Sequence, residues 1–282
     1  MTIFIVMDDK LFENGTVNNE LDAYLLGFLY ADGYITRLYK GVYNSVGVTL
    51  SVKDEAYLKI IACYFHSKIT YSYTSVNGNR YKCVRFCKHD PSLVKVLINL
   101  GVIPHKTYEI SDRIISSVPS NLIHHFIRGF FDGDGSIYQV EKKKCKASYG
   151  IGFVTFNRAL LEHIQTILSK KCELPAKAIR MEKEKYARLN YGGNVILDKI
   201  KKFLYSDATI FLERKKKLFD KVIPVLGRNG YRGVRWLSKN KKWTANYKRI
   251  YLGIYEDKQD AINCIRQYEQ KHFPIGKMDA KQ

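Results

Sequence analysis

The chain has 282 residues, with 46% hydrophobic, 26% charged and 13% aromatic positions, which is enough to bury a real core in one large or two to three ordinary domains. Lys and Arg number 47 against 27 Asp and Glu, a net charge of +20, which points to a polyanionic partner. No apolar run approaches the roughly 18 residues of a membrane span, and the basic residues alternate with Tyr, Phe and Trp in strand-like segments, which favours nucleic acid over an acidic membrane. The opening "TIFIVM" is too short for the apolar region of a signal peptide. Six cysteines without CxxC spacing read as reduced, mostly buried thiols of an intracellular protein.

The first helix ends in "LLGFLYADGY" (residues 25–34), and a second copy, "IRGFFDGDGS", occupies residues 127–136. Asp32 and Asp134 correspond at an offset of 134 − 32 = 102 positions; Gly27 then pairs with Gly129, Ala31 with Gly133, and Gly33 with Gly135. Strand-like segments follow each motif: "YITRLYKGVY" and "VGVTLSV" in the first copy, "SIYQVE" and "GIGFVTF" in the second. Next come an amphipathic helix (residues 54–66 or 157–170), a hairpin, and a last helix (residues 91–100 or 193–204). Asn77-Gly78 marks the turn of the first hairpin. The order α-β-β-α-β-β-α, twice, predicts an α+β protein of two pseudo-symmetric halves, residues 1–115 and 116–222.

Ala23, Gly27 and Ala31 recur every four residues, so they share one helix face; Gly129 and Gly133 do the same on the second helix. A glycine inside a helix costs about 1 kcal/mol against alanine, so aligned glycines imply a steric requirement for close helix approach. With the two stripes facing, Asp32 and Asp134 end side by side, and Gly33 and Gly135 are expected to terminate the helices in the left-handed conformation. Two anions at two negative helix ends repel each other unless a cation joins them. A hard divalent ion with oxygen ligands, Mg²⁺ (or Mn²⁺), is the expected cofactor. An EF-hand does not fit Asp132–Asp134, because Ile137 stands at the sixth position and Lys143 at the twelfth.

A third segment follows a linker at residues 223–230. From Arg228 to Tyr255 there are eight Lys/Arg and no acid. Strand alternation in "YRGVRWLSKNKKWTANYKRIYLGIY", broken at Ser238–Lys241, precedes a helix with Ala261, Ile262, Ile265 and Tyr268 on one face. Residues 231–273 are thus expected to form a three-stranded sheet backed by one helix, leaving a tail at 274–282.

Both motifs resemble those of the LAGLIDADG homing endonucleases in their single-chain, two-motif form, over roughly residues 20–222. The resemblance implies a central interface of the two motif helices, an antiparallel-sheet saddle over DNA, and Asp32 and Asp134 as catalytic metal ligands. Gly27, Ala31, Gly129 and Gly133 match the helix-packing positions. At the motif's sixth position Asp132 keeps the family's acid while Tyr30 replaces it, an asymmetry between the copies. The resemblance also implies a basic residue near each metal centre, for which Lys106 and Lys215 are the matches; each could equally be a solvated charge.

The third segment resembles the plant ethylene-response-factor type of DNA-binding domain, through "YRGVRW", the Trp243 strand, "YLGIY" and the helix. That resemblance implies DNA contacts from Arg232, Arg235 and Trp243, with Trp236, Lys242, Lys248 and Arg249 as further candidates; Trp236 and Trp243 could instead be core aromatics. In the two halves Arg37, Arg85, Lys183, Lys185 and Arg188 are candidate DNA contacts whose strand faces the sequence leaves open.

The implied function is a site-specific, metal-dependent double-strand break in a long asymmetric site of double-stranded DNA. The enzyme would be monomeric, intracellular in a host cell such as a bacterium, and encoded by a phage or mobile intron. The alternatives are an intron maturase that binds intron RNA and a non-cleaving DNA-binding regulator.

Overall fold

The structure is a computed structural model that describes residues 10–37, 41, 43–104, 113–140, 148–182, 185–223, 233–247 and 249–272. Lys106, Arg232, Lys248 and Lys183 lie outside the described residues, as does Cys145.

The first half runs α1 (Glu20–Asp32), β1 (Gly33–Arg37), β2 (Tyr43–Ser51), α2 (Glu55–Tyr64), β3 (Thr70–Val76), β4 (Asn79–His89) and α3 (Pro91–Asn99). After a short α4 (Arg113–Ser116), the second half repeats the order: α5 (Ile123–Asp134), β5 (Ser136–Val140), β6 (Ser148–Thr155), α6 (Arg158–Cys172), β7 (Arg180–Glu182), β8 (Tyr186–Gly192) and α7 (Asn194–Tyr205). A further helix, α8 (Glu213–Asp220), follows. Each half holds a four-stranded antiparallel sheet with matching strand order, β1-β2-β4-β3 and β5-β6-β8-β7. Asn77 (φ 50°) and Gly78 (φ 80°) make the β3–β4 turn, where both residues must enter the left-handed region.

α1 starts at Asn19, whose side chain accepts the Asp22 backbone N–H at 2.9 Å. Residues 22–31 of α1 are all buried, so the helix is surrounded by protein on every side. Among the described elements, its most extensive contact is with α5.

The contact is a pseudo-two-fold. A β-carbon on Gly27 would overlap the carbonyl oxygen of Phe126 and approach the Phe130 amide; one on Gly129 would overlap the carbonyl oxygen of Tyr24 and approach the Phe28 amide. Subtracting the repeat offset of 102 from Phe126, Gly129 and Phe130 returns Tyr24, Gly27 and Phe28. Ala31 and Gly133, equivalent positions, meet each other, since a β-carbon on Gly133 would overlap that of Ala31. Self-equivalent residues touch only on a symmetry axis. The glycine stripes therefore interlock backbone to backbone.

Gly33 and Gly135 correct the expectation of left-handed caps. Both are extended (φ −72°, ψ 153° and φ −80°, ψ 158°), because the chain leaves each helix directly into a strand. Their lack of a side chain serves packing: a β-carbon would overlap the Leu29 carbonyl at the first and the Phe131 ring and carbonyl at the second.

Each sheet packs one face on helices and leaves the other open. Val46, Val48, Val84 and Phe86 form the buried face of the first, and Tyr149, Ile151, Phe153, Ala187, Leu189 and Tyr191 that of the second. Residues 233–272 form a separate three-stranded sheet, β9 (Val234–Leu237), β10 (Lys242–Tyr247) and β11 (Ile250–Tyr255), ordered β11-β10-β9 and backed by α9 (Lys258–His272). Its small core is Val234, Ala245, Ala261, Ile262 and Ile265. Among the described residues no helix is long and apolar enough to cross a membrane. Of the described cysteines, Cys83 and Cys172 are buried, but Cys63 and Cys87 are exposed, against the expectation of mostly buried thiols.

The interlock makes a sharp prediction. Gly129→Ala gains about 1 kcal/mol of helix propensity, yet its β-carbon meets backbone that cannot step aside, so urea denaturation should show a net loss of about 1–3 kcal/mol or more. Gly192→Ala, where a β-carbon has open space, should stay within about 0.5 kcal/mol of the parent.

Candidate active site

Asp32 and Asp134 are the last residues of α1 and α5. Because the two helices touch at Ala31 and Gly133, their acid ends converge: the Asp32 carboxylate oxygen Oδ2 lies 3.3 Å from the β-carbon position of Gly133, the residue before Asp134. Asp32 is half-buried and Asp134 exposed, so both can be reached from solvent. The two carboxylates offer oxygen donors, the ligand type that a hard divalent cation takes.

Lys215 is not a solvated charge. On α8 it is 4% exposed, and its Nζ donates to the carbonyl oxygens of Phe131 (2.6 Å), Asp132 (2.8 Å), Gly133 (3.0 Å) and Gly135 (2.6 Å). Asp132 and Gly133 are in the last turn of α5, where carbonyls lack intrahelical partners; the Phe131 carbonyl also accepts the Gly135 N–H (2.9 Å), and Gly135 follows the helix. The ammonium thereby caps the negative end of the helix that carries Asp134. Burial pushes its pKa down to about 8, opposed by the charges of Asp132, Asp32 and Asp134.

Asp132 faces inward. It is 1% exposed, and its Oδ2 accepts the Leu212 backbone N–H (2.7 Å) and the Tyr24 hydroxyl (2.8 Å), which itself meets the Tyr57 hydroxyl at 2.7 Å. Burial raises its pKa to about 6 despite those donors and the nearby Lys215 and Arg128 charges. Its other oxygen, Oδ1, makes no hydrogen bond of good geometry, nor does the buried Tyr205 hydroxyl, but the two groups interact: burial first, and then the Asp132 carboxylate, raise the Tyr205 pKa well above the usual tyrosine value. The equivalent Tyr30 also crosses the interface, accepting from Asn157 Nδ2 at 3.2 Å. The sixth position of each motif thus ties one half to the other, by different chemistry, and in neither copy does it face solvent.

Sequence reasoning missed Arg128, which stands in the apolar "HHFIRGFF" of α5 and is 0% exposed. Its guanidinium donates to Ile210 O (3.0 Å), Leu204 O (2.8 Å) and Glu20 Oε1 (2.5 Å), fixing the chain after α7 against both motif helices. A charge placed inside an otherwise apolar helical run was the available signal.

Strand register fixes the faces that the sequence left open. Arg85 pairs with Thr49 and Thr70, and Arg188 with Val154 and Arg180, at equivalent places on the two open faces. Arg85 is exposed and donates weakly to Thr70 Oγ1 (3.4 Å); Arg188 pairs with Glu182 at 2.7 Å. Tyr34 and Tyr138 lie on the same faces, each ring over a glycine, Gly47 and Gly150. Lys185 sits 5.5 Å above the Phe156 ring, and Arg37 is the last residue of β1.

In the small unit, register places Trp243 opposite Trp236 and Tyr255, on the same side as Ala245 and Val234. That side carries α9: Trp243 packs on the Val234–Ala245–Ala261 core, and Lys258 lies 5.5 Å over its ring. Trp243 is therefore a packing residue and not an open-face DNA contact, and Trp236, 5.1 Å away, extends the same cluster to the edge. Arg235 faces the other side with Thr244 and Ile254, where Tyr251 and Asn246 join it. Lys242 pairs with Glu256 at 3.1 Å, and Arg249 is exposed in the β10–β11 turn.

Residues 121–205, the span of α5 through α7, match the LAGLIDADG-like domain family. The solved structure of the homing endonuclease I-WcaI bound to its DNA recognition sequence is similar at a TM-score of 0.53 and 14% identity, covering 76% of this chain and 95% of that one. I-SmaMI bound to cleaved DNA (TM-score 0.47, 13% identity, 73% and 88% covered) and I-GzeII with its DNA target (0.46, 14%, 72% and 88%) are more distant. No curated protein sequence matches the chain. The fold is that of the LAGLIDADG homing endonucleases, and the second half of this chain carries a LAGLIDADG-like domain.

Because the Asp132 carboxyl titrates higher folded (about 6) than unfolded (about 3.8), its charge opposes folding fully above pH 6 and not at all below pH 3.8. Asp132→Asn keeps an acceptor for Leu212 and Tyr24 and adds a donor for Tyr205. Its thermal stability should match or exceed the parent at pH 7.5, with the gain shrinking as pH falls through 6 to 4. A loss of stability that is largest at pH 7.5 would contradict this account of Asp132.

Proposed function

We propose that the protein is a site-specific DNA endonuclease of the homing type, which cuts both strands of a long asymmetric site with Mg²⁺ or Mn²⁺. One observation carries the reading: two equivalent helices end in Asp32 and Asp134 at the axis of a duplicated unit, in a chain of net charge +20. Asp32 and Asp134 would hold the metal between them. When bound there, the ion polarises a scissile phosphoryl oxygen and lowers the pKa of an attacking water.

The chain's own residues supply the remainder. Lys215 offsets negative charge under the end of α5 and so keeps two carboxylates tolerable at one place. Lys106 is the proposed basic counterpart in the first half. Arg85 and Arg188, on equivalent open sheet faces, are suited to neutralise phosphates on either side of the cut, positioning the duplex without reading it. In the small unit Arg235 and Arg249 on exposed positions, with Arg232 and Lys248, would add affinity by raising the local concentration of nuclease at its site. The duplicated fold provides both half-sites, so the proposed active species is a monomer, and the two different halves suit an asymmetric target.

Incubation with a DNA library in Mg²⁺ should yield cut molecules, and EDTA should leave them intact. Asp32→Asn and Asp134→Asn should each lower cleavage by at least about a thousandfold while the protein still retards DNA in a gel; full cleavage by either variant removes the assignment. Binding should also weaken steeply with salt, each phosphate contact adding about 0.9 to the slope of log K against log salt. Truncation after residue 226 should weaken binding about tenfold or more and leave residual cutting. Equal affinity before and after would deny the small unit its role.

A further inference from the structure

The far end of α5 carries a second constellation, unrelated to the acid pair. His124 and His125 stand in its first turn with ring centroids 3.8 Å apart, and the chain after α7 brings Asp207 to both. His124 Nε2 lies 3.0 Å and His125 Nε2 3.9 Å from Asp207 Oδ2, and the three ligand atoms all fall within 4.8 Å of one another. His124 is the second residue of α5 and Asp134 its last, a separation of about 15 Å at the helical rise.

The segment bearing Asp207 is pinned on both sides. Arg128 holds the carbonyls of Leu204 and Ile210, while Glu20 accepts from the Thr209 backbone N–H (2.8 Å) and hydroxyl (2.9 Å). Three donors from two elements are thus fixed before any ligand arrives, which is what a preorganised site needs. Asp207 remains largely exposed, with 57% of its side chain accessible, which gives an ion a route in and leaves water to complete its coordination.

We propose that His124, His125 and Asp207 bind a transition-metal dication of the Zn²⁺ class. Two imidazoles and a carboxylate are the donor set of Zn²⁺, Co²⁺ or Ni²⁺; Mg²⁺ prefers oxygen alone. Binding through His125 Nε2 places the ring proton on Nδ1, which lies 3.9 Å from Glu20 Oε1 and 2.9 Å from Arg128 Nη1. The Arg128 Nη1–H to Nδ1 bond then gives way, and Glu20 Oε1 is the acceptor that Nδ1–H reaches once the ring shifts from the present 3.9 Å, toward a carboxylate–histidine–metal arrangement. Arg128 keeps its bonds to Leu204, Ile210 and Glu20, and Glu20 balances its charge. The ion joins the start of α5 to the chain that continues into Leu212, the donor to Asp132, and Lys215, so it stabilises the support of the proposed active site from a distance.

The test uses the full-length, metal-stripped protein and Zn²⁺ or Co²⁺ alone, read by calorimetry, by the visible absorption of bound Co²⁺ and by melting temperature. The expected result is one tight Zn²⁺ that raises the melting temperature, with His124→Ala and Asp207→Ala each weakening binding about tenfold or more. Asp207 is surface-exposed, so the second variant reports even where the first perturbs folding. Asp32→Asn with Asp134→Asn should bind Zn²⁺ at this site as tightly as the parent. No uptake by the parent, unchanged affinity in the Asp207 variant, or loss of the ion on removing Asp32 and Asp134 would each overturn the proposal.

Discussion

Everything at the site depends on how closely α1 and α5 approach. Gly27 and Gly129 let the carbonyl of one helix sit where the other would have a side chain, and Ala31 meets Gly133 on the axis. That contact is backbone against backbone, so it fixes the helix ends with little freedom for side chains to relax. Two acids placed after the last contact are thereby brought together by the packing of their helices. A wider crossing built on larger residues would bury as much apolar surface and still separate the carboxylates.

Convergence concentrates negative charge, and the structure answers it from beneath. Lys215 donates to four carbonyls at and just after the end of α5 while remaining within electrostatic reach of Asp32 and Asp134. Asp132 plays the opposite part, a carboxylate drawn into the core and used to join Tyr24 of the first half to Leu212 of the second. The two halves are therefore alike in packing and unlike in polar chemistry, with Tyr30–Asn157 where the other copy has Asp132–Tyr24.

The duplicated fold was legible because its signals are periodic. Four-residue spacing of small residues, Asn-Gly at a hairpin and a constant repeat offset each carry geometry directly. Side-chain direction was less so. Gly33 and Gly135 look like left-handed caps, but a helix that runs straight into a strand needs glycine for space and not for φ. Alternation in the small unit gives two faces without saying which one the helix covers, and the choice fell against Trp243. Lys215 stands in "ERKKK", a run that reads as solvated, and only the three-dimensional position of α8 under α5 reveals a buried ammonium. Arg128 and Asp207 are brought together with their partners by the chain after α7, over sequence distances no local pattern encodes.

The central claim is that Asp32 and Asp134 share a divalent cation at the helix ends. Anomalous scattering from Mn²⁺ in crystals of the protein with bound duplex tests it directly. The account predicts a peak within about 2.0–2.6 Å of a carboxylate oxygen from each residue, the range of hard-cation oxygen ligation. Two carboxylates facing apart with no density between them would contradict it.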